Sequence, residues 1–308
     1  MNGLLNVLKP PGMTSFDVVA YLRRVLKEKK IGHAGTLDPG AAGVLPICIG
    51  KATKSIEYIM DMEKVYRAEL TLGISTDTQD SFGKVISVKD VSVSEDEILY
   101  AIKSFTGELY QTPPMYSALK VDGRRLYELA REGKSVKRKP RKIIIHSIDI
   151  IKVDIDRCKV LFDVSCSKGT YIRTLCSDIG DNLGCGGHMS FLIRKRTGIF
   201  DIQSALTLEE IQKANNDGKI SETILKVDEV FKKYKSLHLD KDSEKKFKNG
   251  RYVCIDNIKY LDRNYQHSDH YSNGLLVKVY NEYNDFLALG KLTKNQEKLY
   301  LKSEKMFI

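Results

Sequence analysis

One acid stands between Gly32 and Lys54, in the stretch GHAGTLDPGAAGVLPICIGKATK: Asp38. It lies among five glycines, directly before Pro39, where the chain bends and then turns apolar. A residue preceding proline is biased toward extended backbone. Pro39 and Gly40 suit the second and third positions of a type II turn. Such a turn would hold the Asp38 carboxylate at a fixed place, and the glycines would let a ligand come close. By residue type alone, an aspartate here can equally cap its own turn. A glycosidase needs a second carboxylate, and this stretch has none. The phosphate-loop pattern G-x-x-x-x-G-K-[ST] fails twice, with Leu45 in place of the first glycine and Ala52 after Gly50-Lys51. Cys185 and His188 make a single C-x-x-H spacing with no partner pair nearby, so no metal site is expected.

The chain has 308 residues and a net charge of +10. That length suits one large domain plus a small one. The six cysteines include no C-x-x-C pair and read as reduced thiols. No apolar run approaches a membrane span and MNGLLNVLKPPG lacks a signal-peptide pattern, so a cytoplasmic protein is expected. The charge is uneven. Residues 112–142 hold ten Lys/Arg against three acids, a net of +7. A patch of that density is the footprint of a phosphate-rich partner, and the plain alternative is a solvated surface.

The elements that must position these groups can be read coarsely. Residues 3–8 suit a strand. Thr14 with Asp17 signals a helix start, and the apolar face of Phe16, Val18, Val19, Leu22, Val25 and Leu26 carries the helix toward Lys29. Residues 65–73 alternate as a strand, and Ser94 with Glu97 opens a helix to about Phe105. The basic segment, with two prolines at its start and Pro140 near its end, reads as a protruding insertion with one short helix around Leu126, Leu129 and Ala130. Residues 143–156 and 160–166 suit strands, a helix runs from Gly169-Thr170 toward Leu183, and Thr207 with Glu210 caps another. Beyond Tyr234 short strand candidates at 252–255, 275–280, 286–291 and 299–302 suggest a small β-rich domain.

The stretch at 32–54 resembles the active-site signature of the bacterial tRNA pseudouridine-55 synthases. Four further stretches are similar to that family's motifs, in the family's order: NVLKPPGMTSFDVV at 6–19, KVYRAELTLG at 64–73, QTPPMYSALKVDGRRLYELAREG at 111–133 and CSKGTYIRTLCSDIGDNLGCGGHMSFLIRKRTG at 166–198. The last 75 or so residues resemble only loosely a PUA-like RNA-binding module. The resemblance implies an α+β fold, a mixed sheet with flanking helices over residues 1–230, and a PUA-like domain over 231–308. It implies isomerisation of one uridine in the tRNA T-loop, with no cofactor and no metal. Asp38 would be the nucleophile, leaving open attack on the sugar, attack on the base or a glycal route. Arg173 would pair with Asp38, and Tyr66 would stack on the flipped uracil and carry a proton. His33 would fill the space the base vacates, Tyr171 and Leu192 would line the uracil pocket, and Lys9 and Pro10 would support its floor.

Base flipping costs roughly a few kcal/mol that the interface must supply. Lys120, Arg124, Arg125, Lys137, Arg138 and Lys139 are the candidates for phosphate contacts, with Tyr116 and Tyr127 for stacking. One rival is a catalytically silent RNA-binding protein, which the joint presence of Asp38, Tyr66 and Arg173 in their motifs disfavours. Another is a synthase of the related guide-RNA particles. The free-standing layout, without a long basic tail, favours direct recognition of the tRNA T-arm by a monomer with no guide RNA.

Overall fold

The computed structural model describes residues 1–255, 258, 260–261, 272–295 and 298–308. β1 (Gly3–Lys9) leads into α1 (Ser15–Val25), and β2 (Ile31–His33) and β3 (Ala42–Ile49) flank the glycine-rich bend. α2 (Ile56–Met60) precedes β4 (Lys64–Leu72), followed by the hairpin of β5 (Ile74–Thr76) and β6 (Val85–Val88). α3 (Glu95–Ser104) and β7 (Gly107–Gln111) come before the basic insertion, whose regular parts are β8 (Lys120–Val121), β9 (Arg124–Arg125) and α4 (Leu126–Arg131). β10 (Arg141–Asp154), β11 (Lys159–Cys166), α5 (Ile172–Asn182), β12 (Gly187–Thr197), β13 (Phe200–Asp201) and α6 (Leu208–Asn216) follow. The remainder is β14 (Lys235–His238), α7 (Lys241–Lys248), β15 (Val253–Cys254), β16 (Tyr260–Leu261), β17 (Leu276–Tyr280), β18 (Phe286–Asn295) and β19 (Lys298–Met306).

The large sheet runs β1–β3–β12–β4–β11–β10–β7, with β2 beside β3 and β13 beside β12. It is mixed because β12 pairs parallel with β3 and antiparallel with β4. β4 shows how the sequence sets the layers: Tyr66, Ala68, Leu70 and Leu72 point into the core while the residues between them are half-buried. That face packs on α3 and α5 through Ile98, Ile102, Leu175 and Ile179. β1 and β3 carry Leu5, Val7, Leu45 and Ile47 against Val18 and Leu22 of α1 and Ile211 of α6. The α+β expectation therefore holds.

The second sheet has the order β15–β19–β18–β17–β14–β16. Its Leu289 and Phe307 join Leu4, Val44, Cys48 and Ile59 in one apolar cluster around Phe231. The Phe231 ring lies 5.2 Å from Tyr58 and 5.6 Å from Phe307, so the C-terminal sheet is seated on the back of β1 and β3 through aromatic packing.

Two boundaries differ from the sequence reading. α1 ends at Val25, not near Lys29, because Lys27 turns left-handed at φ 50°. The structure keeps the apolar face expected for α1 except for Phe16, whose side chain stands in solvent. α5 starts at Ile172, after Gly169 takes a positive φ of 78°. β12, which the sequence pattern did not mark, stands at the centre of the large sheet.

Candidate active site

The bend at Asp38 is closed by a hydrogen bond of 3.1 Å from the Ala41 amide to the Asp38 carbonyl. It is not a type II turn, because Gly40 does not have the positive φ that geometry needs. Glycine at position 40 leaves room for a neighbouring ring. A Cβ there would stand 2.1 Å from Cε2 of Phe82, whose ring rests on the bend. Gly43 is needed where β3 meets β12: its φ is 115° and a Cβ would stand 2.3 Å from the Arg194 carbonyl oxygen.

Lys9 holds the bend from beneath. Its buried ammonium donates to the carbonyls of Pro10 at 2.8 Å, Met13 at 2.5 Å and Pro39 at 3.3 Å. Burial lowers its pKa to about 8, with Asp38 opposing, so it remains an ammonium at neutral pH. Lys9 thus acts on Asp38 through the Pro39 carbonyl and through charge.

Arg173, in the first turn of α5, reaches the carboxylate. Its Nε donates to Asp38 Oδ2 at 3.0 Å and its Nη2 lies 3.4 Å from Oδ1. The arginine side chain is 6 % exposed and the aspartate side chain 37 %, so a ligand can reach the acid while its partner stays clamped. Three further groups fix the guanidinium. The Thr78 carbonyl accepts at 3.2 Å, the Tyr116 carbonyl at 2.8 Å, and Asp80 Oδ2 stands 3.6 Å from Nη1. Burial pushes the Asp38 carboxyl above its ordinary range, Arg173 pulls it back, and the negative charge of Asp80 pushes it up again.

Asp80 was not anticipated from the sequence. It belongs to the loop between β5 and β6, TDTQDSF at 76–82, where Thr78 donates to its Oδ1 at 2.7 Å and the Phe82 amide at 3.0 Å. Thr174, next to Arg173, binds Gln79 of the same loop at 2.8 Å. A run of turn-forming polar residues between two short strands was the available signal. Arg194 was also missed. It is almost wholly buried on β12 and donates to the carbonyls of Val44 at 2.8 Å and Gly35 at 3.0 Å, locking the bend to the sheet.

Tyr66 is 9 % exposed and lies opposite Arg194 in the β4–β12 register. Burial raises its phenol and Arg194 opposes, which leaves a neutral hydroxyl. Tyr66 and Leu192 share one apolar cluster with Leu37 and Ala41, the residues flanking the acid. Tyr171 precedes α5, and its backbone is held by Gln111 through bonds of 2.8 and 3.0 Å. Burial raises the pKa of its hydroxyl. His33 ends β2, and burial followed by Arg194 lowers its pKa, so the ring is neutral.

The basic insertion divides. Lys120, Arg125, Lys137 and Lys139 are exposed. Arg124 is exposed too but is ion-paired with Glu132, and Arg138 donates to the Pro113 carbonyl at 2.9 Å, pinning the end of the insertion to its start. Tyr127 lies under Arg125 and Arg131, at 5.8 and 5.4 Å from their guanidinium carbons. The Tyr116 carbonyl on Arg173 joins the insertion's base to the acid's clamp. Cys185 and His188 are separately engaged, the thiol with the Gly186 carbonyl and the imidazole Nδ1 with the Ile74 carbonyl.

Residues 23–172 match the family model described as TruB family pseudouridylate synthase (N terminal domain), and residues 173–232 match tRNA pseudouridylate synthase B C-terminal domain. The chain is 44 % identical over 311 residues to tRNA pseudouridine synthase B of Clostridioides difficile (strain 630), covering 100 % of both. It is 57 % identical over 216 residues to the protein so described from Alkaliphilus oremlandii (strain OhILAs), covering 70 % of this chain and 72 % of that one. The fold is similar to that in "Crystal Structure of a Cbf5-Nop10-Gar1 Complex", with a TM-score of 0.74 and 28 % identity over 99 % of this chain and 85 % of that one. It is also similar to that in "Structure of H/ACA RNP bound to a substrate RNA containing 2'-deoxyuridine", with a TM-score of 0.73 and 27 % identity over the same shares.

Proposed function

The chain belongs to the TruB family of pseudouridylate synthases and is a pseudouridine synthase acting on tRNA, and on that premise we propose that it converts one uridine of the T-loop, position 55, with Asp38 as the nucleophile. The observation that carries this reading is the Asp38–Arg173 pair at 3.0 Å, reachable on the acid's side and clamped on the arginine's. In the reaction the C1′–N1 bond breaks, the uracil turns, and C5 joins C1′. C5 gives up its proton and N1 gains one. Once ionised, a carboxylate oriented by a guanidinium can attack without a metal to activate it. Tyr66 supplies an aromatic face for the detached base and a neutral hydroxyl for proton transfer. His33, Tyr171 and Leu192 shape the surrounding pocket, and Lys9 with Pro10 fixes its floor.

The exposed Lys120, Arg125, Lys137 and Lys139 hold the T-arm backbone while the base is flipped. The enzyme then works on tRNA directly, in the cytoplasm, as a monomer and without a guide RNA. The full-length match to a relative named tRNA pseudouridine synthase B supports the choice of tRNA as substrate. Among the described residues no helix is long and apolar enough to cross a membrane. Residues 231–308, which contain the C-terminal sheet, are proposed as a domain that extends the grip on tRNA, with the sheet seated behind β1 and β3.

Incubation with tRNA transcript tritiated at uridine C5 tests the reaction. The account expects one tritium released per tRNA, and release also from an isolated T-arm hairpin. No release, or equal release from a hairpin of another arm, would contradict it.

Two expectations concern conditions. Replacing Lys137 and Lys139 by Gln, with Arg138 left to hold Pro113, should weaken tRNA binding and flatten the salt dependence by about 1.5 in log–log slope. An unchanged slope would mean these lysines only solvate the surface. The second follows from the raised Asp38 carboxyl. The fold favours the protonated acid, so the reactive carboxylate appears only as pH rises past that higher value. The single-turnover rate should therefore fall on acidification at a pH above the ordinary aspartate value of about 3.9. A rate flat down to pH 4 would show that the reactive group is not a carboxyl raised by its surroundings.

A further inference from the structure

Phe82 is 81 % exposed, yet it stands at the centre of the machinery. Its ring lies on Gly40, two residues beyond Asp38, so closely that a Cβ at Gly40 would meet Cε2 at 2.1 Å and Cζ at 2.6 Å. Its backbone is fixed as well. The Phe82 amide donates to Asp80 Oδ1 at 3.0 Å, and the other oxygen of Asp80 faces Arg173 at 3.6 Å. On its other side, the Ser81 hydroxyl donates to the Ser190 carbonyl at 3.2 Å, beside the β12 segment that carries Leu192. Gly83 closes the loop where a Cβ would stand 2.3 Å from Thr78 Oγ1. A large apolar ring is thus held in water, on a rigid loop, over the residue that follows the nucleophile's proline.

Folding alone gives no reason for that placement. Full exposure forgoes the apolar burial that would reward a phenylalanine in the core. An RNA substrate gives a reason. Extracting one uridine from a loop breaks its stacking on both neighbours, and an unstacked base is commonly received by an aromatic side chain. Every base has a π-face, so such a ring works without hydrogen-bond readout.

Resting on the T-loop reading above, we propose that Phe82 is a substrate-positioning residue that stacks on an unpaired nucleobase adjacent to the target uridine while that uridine occupies the Asp38 site. The ring's rest on Gly40 sets the height of the stacked base relative to the carboxylate. A side chain at position 40 would push the ring off that place.

The test uses the full chain and a T-arm hairpin, read by a binding titration and by single-turnover conversion. Phe82→Ala should raise the half-saturating hairpin concentration by about 5- to 150-fold, a larger factor than its effect on the saturating rate. Phe82→Trp should restore binding and Phe82→Leu should not. An abasic site beside the target should weaken wild type by a similar factor and leave Phe82→Ala little further affected, as expected of two halves of one contact. Wild-type affinity in Phe82→Ala or in Phe82→Leu would overturn the proposal. Additive losses from the protein and RNA changes would overturn it too. The binding arm decides the matter even if the hairpin uridine is not converted, in which case the T-loop reading itself fails.

Discussion

Asp38→Asn should fold, bind tRNA within a modest factor of wild type, and lose pseudouridine formation by on the order of 10⁴-fold or more. Asparagine tolerates the same pre-proline bend, and its amide oxygen can still accept from Arg173 Nε, which stands 3.0 Å from Oδ2 in the native pair. Lys9 continues to hold the Pro39 carbonyl, so the bend keeps its place. The change removes one negative charge and leaves an amide nitrogen near a guanidinium nitrogen, a loss of about 1 kcal/mol in stability. It also removes the only carboxylate of the bend. Thermal melting and a tRNA titration on the same preparation separate these effects. A variant that binds normally and reacts normally would reduce Asp38 to a turn-capping residue.

Arg173→Lys comes next in size. The native guanidinium serves Asp38, the Thr78 carbonyl and the Tyr116 carbonyl at once, with Asp80 at 3.6 Å. An ammonium keeps the charge but concentrates its donors on one atom and cannot span those partners. Asp38 and Asp80 would be left sharing a looser cation, and the base of the insertion would lose its tie through Tyr116. The saturating rate should fall by about 10²- to 10³-fold, the size of effect seen when one pre-positioned donor is removed from a reacting centre. Stability should drop by about 2–3 kcal/mol, because the partners are buried and left unpaired. The acid side of the pH profile should also move to higher pH, since Arg173 is the main influence holding the Asp38 carboxyl down. A wild-type rate with an unmoved profile would show that the pair is only a structural tie.

The residues brought together at this site were legible to different degrees. Asp38, Tyr66 and Arg173 lie in distinctive motifs, and the structure joins the acid to its arginine across 135 positions of sequence. β4 was readable because its alternation is uninterrupted. β12 was not, because Arg194, Lys195 and Arg196 break its apolar pattern, and only the fold shows that Arg194 points inward to carbonyls supplied by β3 and the bend. Asp80 lies in a run of turn residues where an acid has many local uses, and its partner is reached only through tertiary contact. Gly40 was read as a conformational requirement, yet its φ is not positive, and what its missing side chain leaves room for is the Phe82 ring. Charge counting found the insertion but could not tell Lys137 and Lys139, which are exposed, from Arg124 and Arg138, which are engaged within the protein.

The most direct test of the central claim is to incubate full-length unmodified tRNA transcript with wild type and with Asp38→Asn, then map pseudouridine chemically at every position. The account predicts a single new pseudouridine in the T-loop with wild type and none with the variant over the same interval. Pseudouridine in another arm, or equal T-loop modification by both proteins, would contradict it.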